Sequence, residues 1–370
     1  MRRHIARIWS ISVALGAALV APSLCNAQNI GYITGGNWGV GFAPLTSFDA
    51  STGAIVNSFP FDGGGTQFAV ANDDSTLYMP TSYPDLAALN VVSGQTGQVL
   101  NYVPVGPATM VILSSDGATA YVGSNGGVTV VDTATVTVTT TLSLQSGARP
   151  TGLALSPDNQ TLYVSSNCVD CNPPGQAACP PLNGLCIFDT STWELKGQVN
   201  KLSGDLRMSR DGQSLYIRVT IGARNGKEGD VYVLNTSSLA VSGLRVPYVG
   251  EVEIDPFEHW AVVFASLVAT NPPGVAAYIL NTSTNQFAAR LFGPAPGNTI
   301  PASAWPSRFA AFAPDGKSIW MLLTCGPYPQ PDCTTPGGAK VVLTGVAIPS
   351  GQVISQTPVP DDSTDIAFPQ

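Results

Sequence analysis

Gly152-Leu-Ala-Leu-Ser-Pro-Asp-Asn-Gln-Thr-Leu-Tyr-Val-Ser165 is the stretch that decides the architecture of this chain. It reads as a strand, a tight turn and a second strand. In the turn, Pro157 fixes φ, Asp158 bonds its own backbone and Asn159 tolerates positive φ. The unit recurs. Met110-Val-Ile-Leu-Ser-Ser-Asp-Gly-Ala-Thr-Ala-Tyr-Val-Gly123 and Asp205-Leu-Arg-Met-Ser-Arg-Asp-Gly-Gln-Ser-Leu-Tyr-Ile-Arg218 superimpose on it. Further copies run from Phe68 to Pro80 and from Phe309 to Leu322, and a degenerate one from Glu251 to Phe264 carries Asp255-Pro-Phe-Glu258 in its turn. Asp74, Asp116 and Asp158 recur every 42 residues, within the length range of four-stranded blade repeats.

Behind each hairpin stands a third apolar strand closing in Asp or Asn plus Thr, as in Val128-Thr-Val-Val-Asp132-Thr133, Ile187-Phe-Asp189-Thr190 and Val231-Tyr-Val-Leu-Asn235-Thr236. A fourth, alternating strand follows directly, over Thr135 to Leu142, Trp193 to Val199, Leu239 to Val246 and Gln286 to Phe292. Four strands per unit make a propeller blade. The C-terminal Thr364-Asp-Ile-Ala-Phe368 supplies one strand of a further blade, and Ile30 to Thr34, Leu45 to Asp49 and Ala54 to Phe59 supply the other three. The expectation is an all-β, seven-bladed β-propeller with four-stranded antiparallel blades, closed by the two chain ends in one shared blade.

These units resemble the YVTN family of β-propeller repeats, and Ser156, Pro157, Asp158, Leu162, Tyr163, Val164, Asp189 and Thr190 carry the likeness. The resemblance covers nearly the whole mature chain and implies the fold. It leaves function open, because such propellers serve as surface proteins, binding modules, lactonase-like enzymes and subunits of periplasmic oxidoreductases.

The N-terminus has the three parts of a secretory signal peptide: basic Met1-Arg-Arg-His4, an apolar run from Ile11 to Pro22, and a small-residue exit at Cys25-Asn-Ala27. Residues 1–27 are expected to be removed, leaving 28–370 as a single domain in the periplasm or outside the cell. The apolar run is too short to span a bilayer, and no later segment qualifies. The mature chain carries 13 basic against 24 acidic side chains, a net charge of −11 that repels nucleic acid.

Six cysteines remain in the mature chain, and an even count in an exported protein reads as disulfides. Cys325 and Cys333 close one short loop. Cys168, Cys171, Cys179 and Cys186 share another insertion, with three pairings open. Their spacing does not repeat as a zinc site would, and Asn172 stands where haem attachment needs histidine, so neither metal nor cofactor is expected. Both insertions join second to third strands, and Gly293 to Ser307 joins a fourth strand to the next first strand, so all emerge on the face where the central channel opens.

Candidate chemistry follows from that placement. Arg149, Asp205, Glu251, Arg308 and Asp365 fall near the starts of inner strands and are candidates to bind a small polar ligand at the channel mouth, with Arg207 and Glu253 two residues deeper. A self-satisfied ring of salt bridges is the competing account of the same residues. Trp38, Tyr83, Trp305 and Tyr328 on that face are candidates to stack on a sugar or anchor a protein. His259, the one histidine beyond the leader, sits in a turn on the opposite face, and no nucleophile motif accompanies it. The reading is a monomeric module binding a protein or glycan partner through the stapled face, with a lactonase-like enzyme or a periplasmic oxidoreductase subunit as the alternative.

Overall fold

The hairpin turns form as their side chains dictate. In the computed structural model, the Ser156 hydroxyl donates to Asp158 Oδ1 at 2.5 Å, the same carboxylate oxygen accepts the Gln160 N–H at 3.0 Å, and Ser156 Oγ accepts the Thr161 N–H at 2.9 Å. Ser114 with Asp116 and Ser209 with Asp211 repeat this arrangement. The residue after the aspartate is left-handed: Gly117 has φ 70°, Asn159 φ 59° and Gly212 φ 71°. Asp74, with φ 57°, occupies this left-handed position. The acid equivalent to Asp116 and Asp158 is therefore Asp73, which accepts the N–H groups of Ser75 and Thr76, and the 42-residue ladder drawn through Asp74 shifts by one there.

The structure describes residues 30–35, 44–61, 67–81, 87–144, 148–168, 184–200, 202–219, 230–244, 249–254, 260–267, 274–284, 286–292, 304–325, 341–360 and 363–369. Their strands assort into four-stranded antiparallel sheets, the blades of a β-propeller. The first sheet joins β1 (Ile30–Gly35), β2 (Leu45–Asp49) and β3 (Ile55–Phe59) to a strand from the other end of the chain. The next comprises β4 (Ala69–Val70), β5 (Thr76–Pro80), β6 (Ala88–Ser93) and β7 (Val99–Pro104). Then come β8 (Ala108–Leu113) to β11 (Thr137–Ser143), with β9 (Thr119–Ser124) and β10 (Gly127–Asp132) between them. The following sheet holds β12 (Ala148–Leu155), β13 (Thr161–Cys168), β14 (Gly184–Asp189) and β15 (Leu195–Asn200). After it come β16 (Asp205–Met208), β17 (Ser214–Val219), β18 (Asp230–Asn235) and β19 (Val241–Leu244). The next is β20 (Val249–Ile254), β21 (Trp260–Leu267), β22 (Gly274–Asn281) and β23 (Gln286–Phe292). The last is β24 (Ala304–Phe312), β25 (Ser318–Cys325), β26 (Val341–Ala347) and β27 (Val353–Val359). The C-terminal β28 (Ser363–Ala367) pairs antiparallel with β1, in the register Tyr32 to Ala367, Ile33 to Ile366 and Thr34 to Asp365.

In three blades the Asp/Asn-Thr signature after the third strand ties that corner to the turn of the first hairpin. The Thr133, Thr190 and Thr236 hydroxyls donate to the turn carbonyls of Gly117, Asn159 and Gly212 at 2.6–2.7 Å. The fourth strands begin later than the alternation suggests. Val136, Trp193 and Leu239 stand at φ 52–61°, and the N–H of Trp193 and Leu239 reaches back to the carbonyls of Asp189 and Asn235. Those residues belong to the turn, and the extended backbone starts beyond them.

Apolar layers between adjacent sheets hold the ring together. At the closing blade Trp320 is fully buried, with Phe48 packed 5.0 Å from its ring and Phe368 a further 5.6 Å from Phe48. Gly345 makes room for it, since a Cβ there would lie 2.5 Å from the Trp320 ring. Across the closure, Val70 bridges to Pro369 and the Gln67 N–H bonds Asp365. Among the described residues no helix is long and apolar enough to cross a membrane. The signal-peptide residues 1–27 and His259 lie outside the described residues.

Candidate functional site

The first strand of each sheet, or the residues just ahead of it, faces a central cavity of about 500 Å³. Its walls are largely apolar, and its charged lining is confined to Asp205, Arg207, Glu253 and Asp365. Three blades supply them: Asp205 and Arg207 stand on β16, Glu253 on β20 and Asp365 on β28. An Asp or Glu one turn of strand apart from an Arg is legible in the sequence; the way these groups engage one another is set by register.

Arg207 reaches across a blade boundary. Its Nε donates to Glu253 Oε2 at 3.2 Å and its Nη2 to Oε1 at 2.7 Å, while Nη1 donates to the Leu206 carbonyl at 3.0 Å. Glu253 is buried and Arg207 partly exposed, so this fork-to-fork contact lies at the channel wall with its cation turned toward the lumen side. Asp205 forms an ion pair with Arg218 directly opposite in the β16–β17 register. Arg218 was absent from the sequence candidates although it ends the same quoted hairpin that Asp205 begins. Hairpin register alone would have located it.

Asp365 is handled differently. It is 3% exposed, Oδ2 accepts the Gln67 N–H at 2.6 Å and Oδ1 its neighbour Ile366 N–H at 2.9 Å. Burial pushes this carboxyl up to about 7, against the opposing pull of the Gln67, Ile366 and Phe68 amides and of Arg207. It therefore acts as a stitch between the closing blade and the next one. Between β12 and β16 the stitch is made of hydroxyls: Thr151 bonds Ser165 and Ser203 at 2.9 Å each, and the Ser165 hydroxyl donates to the Gly204 carbonyl at 2.5 Å.

The remaining sequence candidates separate into three groups. Arg149 is exposed on β12, opposite Asn167, and is not among the residues that line the cavity. Glu251 and Arg308 are placed by backbone on β20 and β24, Arg308 within the register shift between Pro306 and Ala310, and Trp305 lies opposite Thr324 on the same strand. The side chains of these three, and Trp38, Tyr83 and Tyr328 entirely, lie outside the described residues.

The cysteines require one correction. Cys186 is a free, half-buried thiol inside β14, opposite Val164 and Gln198, rather than a member of the insertion. A mid-strand position fixes its Cα within the ladder, where a disulfide needs a second cysteine within about 7 Å. Burial pushes its thiol up, as for an inert core cysteine. Cys171, Cys179 and Cys333 lie outside the described residues, and Cys168 and Cys325 end β13 and β25 at the mouths of the two insertions. Among the described residues no three His, Cys, Asp or Glu side chains gather to hold a metal ion.

Fold and site together define a β-propeller with a polar patch in an otherwise apolar central channel. The solved structures it is similar to share the β-propeller fold. A periplasmic gluconolactonase of Pseudomonas aeruginosa matches with a TM-score of 0.61 at 14% identity, over 92% of this chain and 99% of that one. A protein of unknown function from Desulfotomaculum acetoxidans matches with 0.61 at 13%, over 92% and 99%. Hydrazine synthase of Kuenenia stuttgartiensis matches with 0.58 at 18%, over 76% and 88%. No protein-family model matches the chain, and no curated protein matches it. At these identities the likeness is one of fold.

Proposed function

We propose that this chain is an exported, seven-bladed propeller acting as a binding module, and that its central channel receives an uncharged, hydroxyl-bearing group such as the terminal sugar of a glycan. The observation that carries the reading is the state of the channel charges. Arg207 with Glu253 and Arg218 with Asp205 neutralise each other in fixed geometry, so the site offers oriented donors and acceptors without a net positive charge to hold an anion. Together with Asp365 the lining is neutral to negative, which disfavours carboxylated and phosphorylated ligands. The loops bearing Cys168, Cys171 and Cys179 and the Cys325–Cys333 pair, with Trp38, Tyr83, Trp305 and Tyr328, would rim the mouth and hold the rest of the glycan or its protein carrier.

Calorimetric titration of the full chain with a panel of neutral monosaccharides and short glycans tests this. The expected result is saturable binding, weakened roughly tenfold or more in Arg207→Met because a hydrogen bond to a charged group is lost. Absence of binding across the panel, or wild-type affinity in Arg207→Met, would overturn it.

One observation favours a second, enzymatic reading: Asp365, with its carboxyl pushed up to about 7, lies at the cavity as a general acid or base would. Its oxygens are occupied by backbone N–H groups, which is why binding is preferred. Turnover of sugar lactones by the wild type, lost in a folded Asp365→Asn variant, would select the enzyme.

A further inference from the structure

The lining of the channel is ordered by depth, and the order follows from register. Ile112, Ala154 and Arg207 lie opposite the repeat tyrosines Tyr121, Tyr163 and Tyr216, and Ala367 lies opposite Tyr32. Glu253 and Ala311 hold the same place in their hairpins, opposite Val262 and Trp320. These residues form one level of the channel wall. Val70 bridges in parallel to Pro369, so neighbouring inner strands run side by side and a step along each is a step along the channel.

Two residues nearer the mouth stand Gln67, Asp205 and Asp365. One residue deeper than the middle level stand Leu113, Leu155, Met208, Phe312 and Phe368, all of them in the cavity lining. The channel thus passes from amide and carboxylate groups, through the Arg207–Glu253 pair, to a zone of large apolar side chains. Among the described lining residues of that zone, the weak acceptor sulfur of Met208 is the only side-chain hydrogen-bonding group. Ala154, Ala311 and Ala367 keep the middle level open beside the ion pair, so a ligand that meets Arg207 and Glu253 reaches past them to the apolar zone. Leu155 and Met208 are only partly buried there. Covering them with carbon stabilises a complex, whereas a hydroxyl placed against them loses its water without gaining a partner.

On the reading of the channel as a sugar site, on which this inference rests, we propose that the channel selects a sugar whose leading end is a methyl group: a 6-deoxyhexose rather than the corresponding hexose. Such a sugar keeps ring hydroxyls for Arg207 and Glu253 and presents carbon alone to Leu155 and Met208. Its exocyclic carbon is free when the sugar hangs from a chain by its anomeric carbon. A fully hydroxylated hexose must bury its hydroxymethyl oxygen in the apolar zone, and a hydrocarbon ligand leaves the paired charges without a substitute for the water they lose.

Calorimetric titration of the full chain with methyl glucoside and methyl 6-deoxyglucoside, and with the matching galacto pair, tests the selection. Within each pair the sugars differ by one hydroxyl. The expected outcome is roughly tenfold or tighter binding of the 6-deoxy member in at least one pair. In Met208→Gln, which keeps the side-chain length and adds a donor and an acceptor to the apolar zone, that preference is expected to fall to about threefold or less. Leu155→Gln places the same group in the neighbouring blade and serves if Met208→Gln does not fold. Equal affinities within both pairs, or preference for the hydroxymethyl sugars, would overturn the proposal and leave the channel a sugar site. A preference undiminished in both variants would overturn it as well. Binding of none of the four sugars would overturn the sugar-site reading itself, and this proposal with it.

Discussion

The blade built from β16 to β19 and the blade built from both chain ends share a register and differ in how they treat one acid. In the first, Asp205 is half-buried and paired within its own hairpin to Arg218. In the second, Asp365 is buried opposite Thr34 and spends its oxygens on the amides of Gln67 and Ile366. The local pair stabilises a single blade, whereas Asp365 connects one blade to the next at the point where the ring must close. A repeat thus fixes the strand framework, and departures from it mark where the molecule does something that a single blade cannot.

Breaking the closure should have the largest effect. Deleting residues 363–370 removes β28, its pairing with β1, the Asp365 contact to Gln67 and the Phe368 layer beside Phe48. The expected outcome is loss of the sharp cooperative transition in a thermal melt, because the ring would be left with unpaired inner edges. A truncated chain that melts as sharply as the intact one would show that closure lies elsewhere.

Removing the local pair should cost less. Arg218→Met leaves Asp205 partly buried without its cation and is expected to destabilise by about 2–3 kcal/mol, below the range for fully buried pairs because both side chains keep some solvent contact. Denaturant unfolding measures it. If Arg218→Met is neutral, the contrast between the two blades loses its energetic content.

The repeated turn residues come next. Asp158→Ala removes acceptors for the Ser156 hydroxyl and the Gln160 N–H, with an expected loss of about 1 kcal/mol by chemical denaturation. These carboxylates also set the acid limit of the fold. The Ser114 hydroxyl and Ala118 amide hold Asp116 below the usual carboxylate range, the Ser156 hydroxyl and Gln160 amide do so for Asp158, and the Gln213 amide and Ser209 hydroxyl for Asp211. A folded value below the unfolded one means that the stabilisation is complete above about pH 4 and is lost as pH falls further. Melting midpoints should therefore decline from about pH 4 downward, and a triple Asp→Asn variant of the three turns should show a shallower decline.

Arg149→Ala should have the smallest effect, within about 0.5 kcal/mol, since the side chain is exposed and away from the cavity lining. A large loss of stability would place Arg149 back in the charged network.

The blade was readable from the sequence because its turn residues act locally: Ser156, Pro157 and Asp158 specify a hairpin whatever surrounds them. The β28–β1 pairing was also readable, as the chain ends carry the missing strand patterns. The one-residue shift at Asp73 escaped because two adjacent aspartates satisfy the same motif, and only φ distinguishes the bonding acid from the left-handed one. At the site, Asp205, Asp365, Arg207 and Glu253 were legible as charges near inner-strand starts. The partners were not, since Arg207 meets Glu253 across a blade boundary and 46 residues of sequence.

The most direct test of the account is a paired titration of the full chain with methyl glucoside and with glucuronate, which share a ring and differ by a carboxylate. The channel described here predicts saturable binding of the neutral sugar and at least tenfold weaker binding of the acid, whereas equal affinities, or preference for the acid, would contradict it.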